Sequence, residues 1–484
     1  MEITAVLFDL DNTIANTSTL QETRENHDTA ALAQLLTGLE IHDAANRLIN
    51  FLAEQNVKLG IVTNSPRWYA EALLRHFGIF EKFQSIVTYN EVTRFGIKPS
   101  PNGIKLALAE LDVSDPSKVI YIGDEGKDIV ASYYAGVLPV IGSWTNREPL
   151  SDTPFGVFSY KLIKKHFPNY KNISLIAENC AREGSYSAPA GEVYFLPLDS
   201  NGNVISTPEN LTIFCFGRYF SQKNEITVRL HDSHKLSLDI FEKEDALETY
   251  TVPSYWNHIF SNLIKNIGSY PKSKIKSFQV VTVVPAKNNK IKRLEQMLKA
   301  ISKDHPNIMF IEDLFYFDPG APSLKSLPKI ERLVTLKKYL KFNPKYTQTI
   351  INQNILILDD VITTGSTMKV ARELLLNLNA REVLGACIAK TVSLQRDFKT
   401  CPSCNSELFL LKNRKDGSRF WSCPKKDELG NYCGYKENMK EKDCPECGRP
   451  MYRKRNNTDQ SIFLACSGYY GTPFCNHTEN LENL

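Results

Sequence analysis

Residues 354–367, NILILDDVITTGST, constrain this chain more than any other stretch. Four apolar residues, Ile355 to Leu358, read as a strand buried in a parallel sheet. Two carboxylates, Asp359 and Asp360, follow at its carboxyl end, then Val361-Ile362 and the turn Thr363-Thr364-Gly365-Ser366-Thr367. A helix is predicted from about 366 to 377, with Val370, Leu374 and Leu375 on one face. Strand, turn and helix in this order point to an α/β domain, in which ligands bind beyond the carboxyl ends of strands. A turn of glycine and hydroxyls opening a helix presents free N–H groups to an anion. Adjacent carboxylates accept two hydroxyl donors side by side. The combination suits a sugar phosphate.

The run resembles the phosphoribosyl-pyrophosphate (PRPP) loop of type I phosphoribosyltransferases. That resemblance implies that Asp359 and Asp360 hold the ribose hydroxyls, and that Thr363, Thr364, Gly365, Ser366 and Thr367 hold the 5-phosphate. A second buried strand, 278–285, runs into a basic loop with Lys287, Lys290 and Arg293. The loop at this place in the family receives pyrophosphate, and cations at a helix start suit that anion; an ordinary solvated helix start fits the same residues. The arrangement is most similar to the competence-associated branch of the family. Residues 315–348, polar and rich in Lys, are expected to form a flexible flap; Arg332 lies among them.

The amino-terminal 150 residues place polar clusters after successive apolar strands: Asp9-Leu10-Asp11-Asn12-Thr13, then Thr63-Asn64-Ser65, Lys98-Pro99, and Asp124 with Asp128. A parallel sheet would gather them at one edge. One carboxylate could attack a phosphoryl group, another protonate the leaving oxygen, and others hold a metal. The four clusters resemble those of the haloacid-dehalogenase (HAD) superfamily. By that resemblance Asp9 is the nucleophile, Asp11 the general acid/base, and Thr63 and Lys98 the phosphate-binding pair. Mg2+ would then be held among Asp9, Asp11, Asp124 and Asp128. About thirty residues, 14–42, remain for a cap, so the lid is expected to be small.

Residues 151–190 read as a linker, with several Pro, Gly and Ser and little periodicity. From 191 to 395 the phosphoribosyltransferase-like domain is expected, opening with a β-rich segment: EVYFLPL, an Asn-Gly turn, LTIFCFGRYF and EITVRLHD. A helix is predicted over about 255–267.

Eleven cysteines look excessive until they are mapped. Eight form two sets: Cys401, Cys404, Cys423, Cys433 and Cys444, Cys447, Cys466, Cys475. The first three positions repeat after 43 residues and the last after 42. This is a tandem repeat over 401–438 and 444–480, and four thiolates in each match one tetrahedral Zn2+. Metal spacing of this kind argues for a reducing compartment, hence the cytoplasm. The repeats resemble the zinc ribbons of type IA topoisomerases, which implies binding of single-stranded nucleic acid. Trp421 and Phe463, just ahead of the third cysteine of each set, are the expected stacking rings. Basic residues Lys412, Arg414, Lys415, Arg419 and Arg453-Lys454-Arg455 interleave with them. Acidic residues nearly balance them, so a protein partner stays open.

The reading is therefore two Rossmann-like α/β domains, a β-rich segment and two zinc ribbons. Its expected ligands are Mg2+, two Zn2+, PRPP, a phosphomonoester and nucleic acid. No apolar run is long enough for a membrane span, the start shows no signal-peptide pattern, and the oligomeric state stays open. Two other functions fit the same motifs: a PRPP- or nucleotide-sensing regulator without transfer, and a phosphatase processing nucleic-acid ends.

Overall fold

The computed structural model describes residues 2–480, apart from 146–147, 170–172, 188–193, 246–249, 271–274, 287–290, 323–328, 395–398, 407, 414–416 and 427–430. The chain divides into two units: Met1–Phe220 with Leu230–Val392, and Ser221–Arg229 with Ser393–Leu484.

The first unit is built on two sheets. In the first, β1 (Ala5–Phe8), β2 (Lys58–Val62), β3 (Ser85–Val87), β4 (Val119–Gly123), β5 (Leu138–Gly142) and β6 (Gly156–Phe158) stand in the order β3-β2-β1-β4-β5-β6, every pair parallel. Its strands are apolar apart from Lys58 and Ser85 at the starts of β2 and β3, because both faces are covered. Val6, Phe8, Ile120 and Ile122 enter one core, and Ala5, Leu7, Val119 and Tyr121 the other. Between β1 and β2, short helices Gln21–Glu25 and Thr29–Leu36 make the small cap. Asp28 caps the second of these by accepting from the Ala31 N–H (2.9 Å).

Residues 151–190, expected to be a linker, instead complete this sheet with β6 and add helices Tyr160–His166 and Ile176–Glu183. The reason is burial: Phe155, Phe158, Ile163, Leu175 and Ile176 all lie inside. The Ser in this stretch is partly a cap, with Ser159 Oγ accepting from Leu162 N.

The second sheet contains β7 (Leu196–Leu198), β8 (Ile213–Cys215), β9 (Arg218–Phe220), β10 (Val280–Val283), β11 (Met309–Ile311), β14 (Asn354–Ile362) and β15 (Glu382–Val392). Its order is β11-β10-β14-β15-β8-β7, with β9 also on β15. Only β7 runs antiparallel to its neighbour. The β-rich segment is thus the far edge of this sheet. The stretch EITVRLHD, expected as a strand, is helix Glu225–Ser233. Asn224 decides it: its Oδ1 accepts from the N–H groups of Ile226 and Thr227, an N-cap that outweighs β-branched propensity. The helix predicted at 255–267 is Ser254–Asn266. The expected flap holds a two-stranded antiparallel sheet, β12 (Phe315–Phe317) with β13 (Leu340–Phe342), and helix Lys329–Tyr339.

A buried ion pair ties the two sheets. Arg218 on β9 grips Glu178 with Nε and Nη2 at 2.8 and 2.9 Å, and donates to Tyr133 OH on helix Gly126–Ala135 (3.2 Å).

The second unit carries two antiparallel ribbons. Strands β16 (Phe409–Lys412), β17 (Arg419–Ser422) and β18 (Lys436–Asn438) form one. Strands β19 (Lys442–Asp443), β20 (Pro450–Arg455), β21 (Ile462–Cys466) and β22 (Thr478–Asn480) form the other. Among the described residues no helix is long and apolar enough to cross a membrane.

Candidate active sites and metal centres

The parallel order brings the first four polar clusters together beyond the carboxyl ends of β1, β2 and β4, as the topology demands. Lys98 Nζ, almost fully buried, lies 2.6 Å from Asp9 Oδ1 and 2.7 Å from Asp128 Oδ1. It also donates to Tyr121 OH (2.7 Å), which in turn donates to Val62 O. Asp9, Asp124 and Asp128 each bring a carboxylate oxygen within 4.8 Å of the others. Burial pushes the Asp9 carboxyl well above its ordinary range; Lys98 opposes this, and Asp128, Asp124 and Asp11 reinforce it. Burial alone would lower the Lys98 ammonium, but Asp128 and Asp9 outweigh it and hold it well above the usual value. Three acids thus face a single ammonium, and hard oxygen donors this close fit Mg2+.

The Asp11 side chain, expected among the Mg2+ ligands, lies elsewhere. It accepts from Thr17 Oγ1 (2.7 Å), Tyr69 OH (2.8 Å) and Ser65 Oγ (2.5 Å) and pairs with Arg24 (3.1 Å). One cation and three hydroxyls outcompete a site already rich in negative charge. Thr63 is buried at the end of β2, its Oγ1 accepting from Ser65 N. The sequence places Asn64 in the second cluster without a role; its amide brackets the Lys98 backbone from both sides. Its place directly after Thr63 was the available signal. Nothing in the sequence marked Arg24.

In the second sheet, Asp359 and Asp360 stand on β14 near its end, and Gly365 caps helix Ser366–Asn377 with φ +68°. A Cβ there would lie 2.7 Å from Asn201 O, so the Asn-Gly turn at 201–202 sits directly on the turn that opens this helix. Lys369 Nζ donates to Asn201 Oδ1 (2.8 Å). Thr363 Oγ1 lies 3.1 Å from Thr391 Oγ1, and Thr364 Oγ1 3.0 Å from Ser366 Oγ. Arg332 Nη1 reaches Thr364 Oγ1 at 3.4 Å.

Asp360 is gripped by Arg293 and by Lys243 Nζ (3.0 Å). Burial would raise its carboxyl, but Lys243 and Arg293 hold it far below the usual range. Asp359 goes the other way, raised by burial and then by Asp360. Arg293 is therefore drawn to Asp360; Lys287 and Lys290 lie outside the described residues. Lys243, from helix Lys235–Asp245, was invisible to motif reading because it comes from 117 residues upstream of its partner.

Each cysteine set closes on itself. Sγ–Sγ separations are 3.7 Å for Cys401–Cys433, 3.4 Å for Cys404–Cys423, 3.7 Å for Cys444–Cys475 and 3.3 Å for Cys447–Cys466. Zn–S bonds of about 2.3 Å place tetrahedral sulfurs about 3.8 Å apart, so both sets fit Zn2+ with little adjustment. Trp421, expected to stack on a base, is 1% exposed, and its indole N–H donates to Glu225 Oε1 (2.8 Å). Burial claims the ring. Phe463 is half-buried on β21. Among the described residues of the ribbons the exposed aromatics are Phe409, Tyr432, Tyr469 and Phe474, the last two with centroids 5.5 Å apart. Arg414 and Lys415 lie outside the described residues.

Family models match these regions. Residues 24–141 match the haloacid dehalogenase-like hydrolases, 315–407 the phosphoribosyl transferase domain, and 399–442 and 441–483 the topoisomerase DNA-binding C4 zinc finger. The chain is a fusion of these three kinds of domain. The first match begins after Asp9 and Asp11. Among curated relatives, a pyrophosphatase from Bacillus cereus is 29% identical over 187 residues, covering 30% of this chain and 85% of the relative. Validoxylamine A 7'-phosphate phosphatase from Streptomyces hygroscopicus subsp. limoneus is 34% identical over 111 residues, 23% of this chain and 50% of that protein. Among solved structures, a HAD-superfamily hydrolase from Ehrlichia chaffeensis (23% identity, TM-score 0.25) covers 29% of this chain and 88% of its own. CbbY from Rhodobacter sphaeroides in complex with phosphate (23% identity, TM-score 0.26) covers 30% and 89%.

Proposed function

We propose that this chain runs two reactions in series. At β14, ribose-5-phosphate passes from PRPP to an acceptor and pyrophosphate leaves; at Asp9, the phosphomonoester so formed is hydrolysed. In the hydrolysis, the Asp9 carboxylate attacks phosphorus, and Asp11 gives a proton to the departing oxygen. Water then attacks the aspartyl phosphate, with Asp11 taking its proton. Lys98 and Thr63 hold the equatorial oxygens. Mg2+ at Asp9, Asp124 and Asp128 would offset the charge of the phosphate. Curated relatives named for pyrophosphate and for a 7'-phosphate substrate favour phosphate ester or anhydride hydrolysis for this half.

The observation that carries the serial reading is a short path between the sites within one compact unit. Thr363 of the phosphate loop meets Thr391, whose carbonyl accepts from Thr153 Oγ1 (3.0 Å). Next to Thr153, Asp152 packs so closely on Gly126 that a side chain there would collide with its carboxylate. Gly126 opens the helix carrying Asp128. Both sites belong to one unit of one chain, which raises the effective concentration of one site's product at the other. The ribbons direct this pair to single-stranded nucleic acid through Tyr432, Tyr469 and Phe474.

The test is a trap. Asp9→Asn protein given PRPP and candidate bases or oligonucleotides should accumulate a phosphoribosylated species, whereas wild type yields one lighter by a phosphate. Identical product masses from both proteins would end the serial reading. One observation favours a second reading, a PRPP sensor without transfer: Arg293 and Lys243 already occupy Asp360. PRPP binding without any pyrophosphate release would select it.

A further inference from the structure

Beside the end of β10 and helix Arg293–Ser302 lies a cavity of about 620 Å³, within the range of small-molecule sites. Glu295, Leu298, Phe310, Phe315, Phe317 and Tyr346 line it, and Ala286 forms part of its wall. Glu295 is only 7% exposed. Its Oε1 accepts from Ala286 N (3.0 Å), while its Oε2 has no hydrogen-bond partner among the described residues. A buried carboxylate oxygen left unpaired is unfavourable until a donor meets it. The other acids around the cavity are already engaged: Glu312 with Lys299 (3.0 Å), and Asp313 with Lys345 and Tyr346 OH (both 2.6 Å).

This cavity is not the PRPP site. Arg293 and Glu295 are two residues apart on one helix, hence roughly 200° apart around it. Arg293 turns to Asp360, and Glu295 turns to Ala286.

We propose that this cavity binds a nucleobase bearing an exocyclic amino group, as a nucleoside or nucleotide. The ring would lie among the aromatic side chains, and its amino N–H would donate to Glu295 Oε2. An amino group supplies the missing donor, the aromatic part of the wall suits a heteroaromatic ring, and Lys292 and Lys299 on the polar part suit the phosphate of a nucleotide. Oε1 would stay on Ala286 N, so occupancy and the loop contact are compatible.

The experiment is calorimetric titration of the full chain with adenosine, cytidine and guanosine, without PRPP. Saturable binding of at least one is expected. Glu295→Gln retains an oxygen for Ala286 N but replaces the free acceptor, and should weaken that binding roughly tenfold or more. Dimethylating the exocyclic amine of the bound nucleoside should do the same to wild type, which removes folding of the variant from the question. No binding of any of the three nucleosides would overturn the proposal. So would binding indifferent to both changes, or displacement of the nucleoside by PRPP.

Discussion

Asp359 and Asp360 show how neighbouring identical side chains acquire opposite electrostatics. Burial and the charge of Asp360 hold the Asp359 proton on, while Lys243 and Arg293 strip it from Asp360. Ribose hydroxyls donating to Asp359 favour its ionised form. PRPP binding should therefore release a proton, and affinity should rise as pH climbs toward the raised Asp359 value. Calorimetry in buffers of different ionisation enthalpy measures this, and Asp359→Asn should remove the released fraction. Residue burial also redirects the proposed nucleic-acid contact. Phe474→Ala should weaken single-stranded DNA binding by about 1–3 kcal/mol, in a salt-dependent titration. Trp421→Ala should instead lower the thermal stability of the first ribbon, because that ring is core. The motif residues were readable because each sits at a fixed offset from a strand end. The burial of Trp421 was not, since it depends on how the ribbon folds around Cys401, Leu408 and Cys423, and its N–H partner Glu225 lies 196 residues away.

At the level of elements, the pair Glu178–Arg218 joins a helix, a strand edge and, through Tyr133, the helix that presents Asp128. Burial would raise the Glu178 carboxyl, yet Arg218 outweighs it and holds the group far below the usual range. The stabilisation is therefore present above the ordinary carboxylate value and is lost as pH falls through the depressed one. Glu178→Gln leaves the guanidinium buried beside a neutral group and should cost about 3–5 kcal/mol, read as an earlier denaturant midpoint for the first unit. Strands β1, β2, β4, β10 and β14 were legible as predominantly apolar runs. Residues 151–190 were not, because β6 is three residues long and its neighbours are spaced by Pro and Ser that serve as caps and turns. Helix Glu225–Ser233 was obscured by its β-branched residues, although Asn224 supplied the contrary signal.

For the molecule as a whole, the tandem cysteine repeat was the plainest feature of the sequence, since its period needs no tertiary context. Purified protein should contain two zinc ions per chain by elemental analysis. Chelation should unfold the ribbons while the first unit keeps its cooperative transition, because metal binding supplies most of the folding energy of so small a module. What the repeat concealed is that Ser221–Arg229 belongs to the same unit. Arg229 donates to Lys440 O (2.6 Å), as Glu225 receives Trp421. That shared membership has a consequence for synthesis on the ribosome. At about 5–20 residues per second, Glu225 leaves the ribosome roughly 10–40 s before Trp421. During that interval the nascent segment must wait without its mate, while the first unit can assemble on either side of it. The ribbons are thus the last piece to lock, and a chain stalled short of them is recognisable by that open segment.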